Sequence, residues 1–298
     1  IKKSSLEFFN TNGLPSKKLE NWKFTSSKNF KNFNKSSSKA EKQKIESDEL
    51  SIVFINGVLD IDSLENFKFS DLLEVKNLNE IDNEELLHCS ANFLNESMFN
   101  LGVSEFENGN YLSFKKNSVV DEVINIKNYF FENGENERVS SYNIFHINEG
   151  SEISIIEEDI KENYSIFNLK LNKFICENSS ILKYGKSFND DSQTHSLSYN
   201  YYQIEKDVAL SVDSMVKSSF FNKEFIEVDL NNVGSDAKIN ILNLGKQEQH
   251  VDNNILINHN AEHCTSFQHV RNILDNKSTA VFNGKVIVSE GAQQTDSN

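Results

Sequence analysis

The side chains best suited to bind a metal lie between residues 250 and 269. This stretch contains His250, His259, His263, Cys264 and His269. A mononuclear site needs three or four converging ligands. On an extended strand, His259 and His263 would share one face and Cys264 would take the other, because successive residues alternate sides. One strand then supplies two ligands at most. The pattern favours histidines that hydrogen-bond within the fold and a Cys264 that packs as a small apolar residue. His259, His263 and Cys264 remain the candidates for a metal or a transient cluster.

Other reactive motifs are incomplete. Gly185–Ser187 reads GKS, like the end of a phosphate-binding loop, but that loop needs a glycine where Ser180 stands. The sequence contains neither a GxSxG nor an HExxH motif. The acidic runs Glu157–Asp159 and Asp190–Asp191 place neighbouring carboxylates on opposite sides of a strand, which suits a solvated edge better than a catalytic pair. The sequence therefore predicts no enzyme, no catalytic residue and no ATP site.

Charge and cysteine usage restrict the partners and the compartment. The net charge is -15, and Arg138 and Arg271 are the only arginines, so we expect no binding to nucleic acid or to an anionic membrane surface. No stretch approaches 18 consecutive apolar residues, and residues 1–10 show no secretory signal. Cys89, Cys176 and Cys264 form no CxxC pair, which favours a reducing compartment and a cytoplasmic protein.

Residues 1–105 have the pattern of a mixed, mostly helical region. The Asn-Gly pair within Ser51–Leu59 predicts a β-hairpin. Asp82 is placed to cap a helix over residues 84–87, and the spacing of apolar residues predicts a second helix over 93–101 that ends at Gly102. The Ser-, Lys- and Asn-rich stretch 31–40 predicts a mobile loop.

From residue 106 to residue 298 strand-like alternation replaces the helical spacing. Polar turns precede the strands at intervals of roughly 28 residues, a period typical of a β-solenoid whose strands stack coil upon coil. The competing interpretation is a sandwich of antiparallel sheets. Hairpin dipeptides, which a sandwich would use, are scarce here, and Asn283-Gly284 is the one good candidate.

Several motifs resemble, in order, those of one known family. Gly13–Thr25 reads GLPSKKLENWKFT, and the other matching segments are Ile52–Gly57, Gln249–Asp252, Ile257–His259, His263–Ser266, Val281–Val286 and Ala292–Asp296. Together they resemble the SufB/SufD family of the SUF iron–sulfur cluster assembly system. The Gly13–Thr25 motif is similar to SufD rather than to its paralogue SufB.

The resemblance implies a right-handed parallel β-helix, residues 106–298, preceded by the smaller helical region 1–105. It implies a non-catalytic scaffold subunit that works with a SufB-like paralogue and a SufC-like ATPase, while the complex handles the iron–sulfur cluster. It also implies a chain cut short at its C-terminus, since family members continue beyond the segment matched by Ala292–Asp296. The alternatives are the SufB paralogue, which carries the cluster itself, and a β-helix protein that binds or cleaves polysaccharide. The last would require secretion and a groove of converging acids.

Overall fold

The N-terminal region combines short helices and short strands. The computed structural model describes residues 1–36, 45, 47–81, 89–131, 134–161, 165–189, 194–217 and 220–297. Single-turn 3-10 helices connect several of the N-terminal elements. The helices are α1 (Lys2–Asn12), α2 (Ala91–Leu94) and α3 (Ser97–Glu105), and the strands are β1 (Asn34–Lys35), β2 (Ser51–Ile55), β3 (Val58–Leu59) and β4 (Leu73–Asn77).

The remainder of the described chain is built from strands that coil as a parallel β-solenoid of about six turns. Each coil contributes one strand to each of two sheets. The strands are β5 (Asn110–Phe114), β6 (Val119–Phe130), β7 (Glu137–Ile147), β8 (Glu152–Lys161), β9 (Ile166–Cys176), β10 (Ile181–Asn189), β11 (His195–Ile204), β12 (Ala209–Lys217), β13 (Phe221–Leu230), β14 (Asp236–Gly245), β15 (His250–His259), β16 (Thr265–Leu274), β17 (Thr279–Val288) and β18 (Asp296–Ser297).

Two sheets form the walls of the solenoid. Sheet A has the order β17-β15-β13-β11-β9-β7-β5-β4, with β1 also paired to β7, and sheet B has the order β18-β16-β14-β12-β10-β8-β6-β2-β3. From β5 onward every strand pairs in parallel with the strand two positions later. The predicted parallel solenoid is therefore confirmed, and the antiparallel sandwich is wrong.

The corner that leads from sheet A into sheet B repeats one backbone conformation in every coil. Two residues before each sheet-B strand from β6 onward, one residue has positive φ, between 54° and 81°. Backbone amides of these corner residues donate to carbonyls of the next corner, for example Ser179 N to Lys206 O at 2.8 Å. The predicted turns are thus one stacked column. Its members are Asn117, Gly150, Ser179, Asp207, Gly234, His263 and Gln294.

Two apolar cores lie on the two faces of sheet A. One fills part of the solenoid between the sheets, and the other lies between the outer face of sheet A and the N-terminal region. Gly102 lies inside α3, not at its end. A Cβ at this position would come within 3.1 Å of Leu171. The missing side chain lets the helix approach the sheet closely. The predicted end of a helix at Gly102 is therefore wrong.

The other local predictions had mixed outcomes. The hairpin at Ser51–Leu59 is confirmed, with φ of 45° at Asn56 and 79° at Gly57. Asn283-Gly284 lies within β17 and makes no hairpin. The loop expected over 31–40 is wrong at its start, where Phe33 is buried and β1 pairs with β7; residues 37–40 lie outside the described residues. The whole helix predicted over 84–87, its cap Asp82 and the acidic pair Asp190–Asp191 also lie outside the described residues.

The described helices are short or polar. Among them, none has the length and apolar content that crossing a bilayer requires.

Substitution at the corner column should change the free energy of unfolding according to backbone conformation. Gly234→Val forces a β-branched residue to positive φ and also brings its Cβ against Asp207 Oδ1, and it should lower the free energy of unfolding by about 2 kcal/mol. Ser179→Gly removes that strain and should raise it by about 0.5 kcal/mol. Urea unfolding followed by circular dichroism measures both. Gly185→Ala is the control, since φ there is not positive and the added Cβ meets Ile156 at an ordinary 3.4 Å. An equal loss in Gly185→Ala would contradict the explanation.

Candidate functional site

One half of the solenoid interior is polar. In β9, Phe174 and Cys176 point into the apolar core between the sheets, so alternation also turns Asn168, Lys170 and Asn172 inward. All three are at most 3% exposed. The apolar half therefore adjoins the corner column, and the polar half lies at the opposite side of the coil.

A ladder of asparagines runs through this polar half. Asn110, Asn143, Asn172 and Asn200 occupy equivalent positions in four successive strands of sheet A. Each side-chain amide donates to the next oxygen, at 2.9, 3.3 and 3.2 Å, and Asn200 donates to Glu224 Oε1 at 2.9 Å. Four buried amides thus satisfy one another along the solenoid axis.

Lys170 is the centre of a buried ion-pair group. Its ammonium group donates to Glu157 and, at 2.8 Å, to Asp159 Oδ1. Asn128 donates to both carboxylates at 2.8 Å, and the Tyr184 hydroxyl donates to Glu157. The side chains of Lys170 and Glu157 are 4% and 5% exposed. The group joins sheet A to sheet B, since Lys170 lies on β9 and the carboxylates lie on β8.

A second buried pair lies deeper in the same polar half. Lys186 of β10 donates to Glu224 of β13, and these side chains are 2% and 1% exposed. Glu224 also accepts from the last asparagine of the ladder. Hydrogen bonds therefore connect the ladder to the Lys186–Glu224 pair, and the charge of Lys186 also acts on Glu157 of the first group.

The pKa values in this polar half follow from charge pairing. Burial alone would raise the pKa of Glu157, but the charges of Lys170 and Lys186 and the hydrogen bonds outweigh it and hold the pKa below its ordinary value. For Lys170, burial would lower the pKa, and the charges of Asp159 and Glu157 reverse this and raise it. Both residues stay charged at neutral pH. An ionised Glu157 in a fixed ion pair is not suited to act as a general acid at neutral pH.

These observations correct two expectations. Glu157 and Asp159 do not line a solvated edge; both face inward, because they flank Glu158 at alternate positions of β8. The prediction that Gly185–Ser187 binds no phosphate agrees with the geometry, since the Lys186 ammonium group is committed to Glu224. Sequence reasoning missed Lys170, and the signal that existed was an asparagine recurring with a spacing of 28 to 33 residues.

The N-terminal segment is held against the outer face of sheet A by a second buried cluster. Lys223 and Asp252, 0% and 2% exposed, form an ion pair at 2.5 Å. Lys223 also donates to the Asn21 carbonyl at 2.7 Å, and its ammonium group lies 4.9 Å from the centre of the Trp22 ring. The Thr25 hydroxyl donates to Asp252.

His250 completes this cluster. Its Nε2 lies 2.9 Å from the Thr25 hydroxyl and its Nδ1 lies 2.7 Å from the hydroxyl of Thr279. Burial, more than any other cause, lowers the pKa of His250. The two sequence motifs Gly13–Thr25 and Gln249–Asp252, far apart in the chain, therefore meet in space.

The candidate metal ligands occupy different environments. β15 ends at His259 and β16 begins at Thr265, so His259 and His263 do not share one strand face, and that prediction is wrong. His259 points inward, with Nε2 2.8 Å from the Ser266 hydroxyl, and burial lowers its pKa. His263 is exposed and occupies the positive-φ position of the corner column. Across the described residues, no group of three or more His, Cys, Asp or Glu side chains is arranged to hold a metal.

Cys264 takes the position that directly follows a corner residue, and it is buried there. Serine occupies the equivalent position in four other coils, at Ser118, Ser151, Ser180 and Ser235. The Cys264 thiol donates to the Asn232 carbonyl at 3.2 Å, as the Ser235 hydroxyl donates to Glu205 O at 2.6 Å. The position explains the residue as a packing element of the corner.

The fold and the polar half of its interior define a class of protein: a parallel β-solenoid that is locked internally by buried charges and covered on one face by its N-terminal segment. A family model described as "SUF system FeS cluster assembly, SufBD core domain" matches residues 130–298. The match covers more than half of the chain, so the chain belongs to this family and takes part in iron–sulfur cluster assembly by the SUF system. A search of curated proteins finds no match.

Removing the cation of the Lys170 group should destabilise the protein strongly. Lys170→Met leaves Glu157 and Asp159 buried without their cation, a change that costs about 3–5 kcal/mol. Lys183→Met is the control, because its side chain is 61% exposed and its pair with Glu152 is 3.7 Å long, so the expected loss is about 0–1 kcal/mol. Urea unfolding measures both. Similar losses of unfolding free energy in the two variants would show that the buried ion pairs of Lys170 do not account for the effect of Lys170→Met.

The Lys170 group should also make the free energy of unfolding depend on pH. Because the pKa of Glu157 is lowered in the folded state, its contribution is present above the unfolded value near 4.5 and is lost as pH falls through the folded value. Glu157→Gln should therefore give a shallower fall in the free energy of unfolding between about pH 5 and pH 3. Glu158→Gln, on the exposed face of the same strand, should keep the parent's slope. If the free energy of unfolding of Glu157→Gln falls with pH as steeply as that of the parent, the lowered pKa of Glu157 is not the cause.

Proposed function

We propose that the chain is a non-catalytic scaffold subunit of the SUF complex. The family match over residues 130–298 is the observation that carries this proposal. A parallel solenoid whose buried charges are paired with one another is a rigid body. Its role is to present surfaces to other subunits while chemistry takes place elsewhere in the complex.

The scaffold is proposed to be of the SufD type. The Gly13–Thr25 motif supports this proposal, because its residues cover the outer face of sheet A. Trp22 is fully buried and its indole N–H donates to Glu96 at 3.1 Å, while Thr25 contacts Asp252 and His250. The motif thus closes the outer face of sheet A. A SufB identity would be expected to show a different N-terminal region.

The partners are proposed to be a SufB-like paralogue and a SufC-like ATPase. ATP hydrolysis is assigned to the ATPase partner, in agreement with a Lys186 that is buried in an ion pair. The iron–sulfur cluster is cargo of the complex. We assign its ligands to the partner side of the assembly, because His259, His263 and Cys264 do not converge.

The compartment is proposed to be the cytoplasm. The three cysteines are free in the structure, and Cys176 and Cys264 are buried. Free, sparse cysteines are typical of proteins from a reducing compartment.

Co-expression tests the scaffold role. The protein should co-purify with candidate SufB-like and SufC-like proteins as one stable complex through size exclusion. ATPase activity should follow the SufC-like subunit and be absent from the chain alone. If all three proteins are folded and do not associate, the scaffold proposal fails. Association with the ATPase alone, together with a cluster bound by the isolated chain, would favour the SufB-like alternative.

A further inference from the structure

The N-terminal segment carries the opposite charge to the rest of the chain. Residues 1–36 contain eight lysines, two glutamates and no aspartate. The whole chain has 30 basic and 45 acidic residues, so the remainder holds 22 basic and 43 acidic ones. A segment of net charge +6 therefore lies on a body of net charge -21. Such a separation of charge is typical of a surface used for interaction.

Three lysines of this segment, Lys17, Lys28 and Lys31, carry charge that no carboxylate of the described chain pairs with. Many lysines of the solenoid have a carboxylate partner within 4 Å, such as Lys116 with Glu149 and Lys127 with Asp48. Within the part of the chain that the structure describes, no ion pair involves Lys17, Lys28 or Lys31. All three are exposed. Their charge is available to another molecule.

These three lysines line one groove. It lies between residues 12–17 and residues 26–31 and has a volume of about 730 Å³. The rest of its lining is small or uncharged: Asn12, Gly13, Leu14, Pro15, Ser16, Ser26 and Ser27. Small side chains leave room for the backbone of an extended peptide between the ammonium groups.

The walls of the groove are fixed in place. Pro15 is buried, and its carbonyl accepts from the Ser27 hydroxyl at 2.6 Å, which ties the two walls together. Gly13 has a φ of 64°, and its carbonyl accepts from Ser97 of α3. A groove that exists before binding reduces the ordering cost of a ligand.

We propose that this groove binds an acidic polypeptide segment of a partner protein, with carboxylates opposite Lys17, Lys28 and Lys31. The proposal is independent of the scaffold role, because it rests on the charge and shape of residues 12–31 alone.

Nucleic acid and anionic lipid fit the groove less well than a peptide does. Residues 1–36 contain no arginine, the residue that recognises phosphate through paired hydrogen bonds. A long polyanion would also extend over the acidic solenoid, whereas a short acidic segment can stay beside the three lysines of the groove.

A labelled peptide of alternating Asp or Glu and Gly, about eight residues long, tests the proposal by fluorescence anisotropy. The variant Lys17→Gln/Lys28→Gln/Lys31→Gln should bind it about tenfold more weakly than the parent chain. The matched control Lys183→Gln/Lys238→Gln/Lys277→Gln removes three exposed solenoid charges and should bind within about twofold of the parent. Raising NaCl to about 0.3 M should weaken binding to the parent.

Mapping gives a second, independent readout. Carbodiimide coupling of the peptide carboxylates, followed by mass spectrometry, should join them to Lys17, Lys28 and Lys31 in preference to Lys183 or Lys238. Equal affinity for a peptide with Asn and Gln in place of the acids would overturn the proposal. So would an unchanged affinity in the groove variant, coupling spread evenly over all lysines, or tighter binding of oligothymidylate or phosphatidylglycerol vesicles than of the peptide.

Discussion

The in-register parallel pairing of successive coils is the constraint on which the structure depends. Because each strand pairs residue for residue with the strand two positions later, a side-chain type at one inward position stacks on its equivalents above and below. A single polar residue inside would lack a partner and would be costly. The solenoid meets this requirement with whole columns: the asparagine ladder and the ion pairs of Lys170 and Lys186 satisfy one another across neighbouring coils.

The N-terminal segment completes this arrangement from outside. The central strands of sheet A, such as β9, are buried on both faces, one inside the solenoid and one beneath α3 and the segment that contains Trp22. The Lys223–Asp252 pair lies in this outer layer, where it is desolvated as fully as the pairs inside. Buried charge therefore fixes the register between coils and also the position of the cover. The two layers together make the rigid body that a scaffold requires.

The sequence predicted the coiled backbone of the solenoid much better than the side-chain contacts inside it. Turns spaced by about 28 residues favoured the solenoid over the sandwich, because turn residues leave local signals in the sequence, and the family resemblance implied the same fold. The dipeptide Asn-Gly gave a correct hairpin at Asn56 and a wrong one at Asn283, where in-register pairing with β15 overrides the local preference. The partner of Glu157 is Lys170 in another strand, and no local pattern connects them. The sequence favoured a packing role for Cys264, and the structure adds the reason, since Cys264 takes the corner position that Ser235 holds in the preceding coil.

The two sheets differ in how many of their faces are buried. Every residue of β9 is buried, whereas burial in β12 alternates along the strand. Burial therefore constrains substitutions unequally in the two sheets. Along β9 it restricts every residue, whereas along β12 it restricts about every second residue. Exposed residues of sheet B can be substituted over time at little cost to the free energy of folding. The covered face of sheet A can change only together with the N-terminal segment that packs on it.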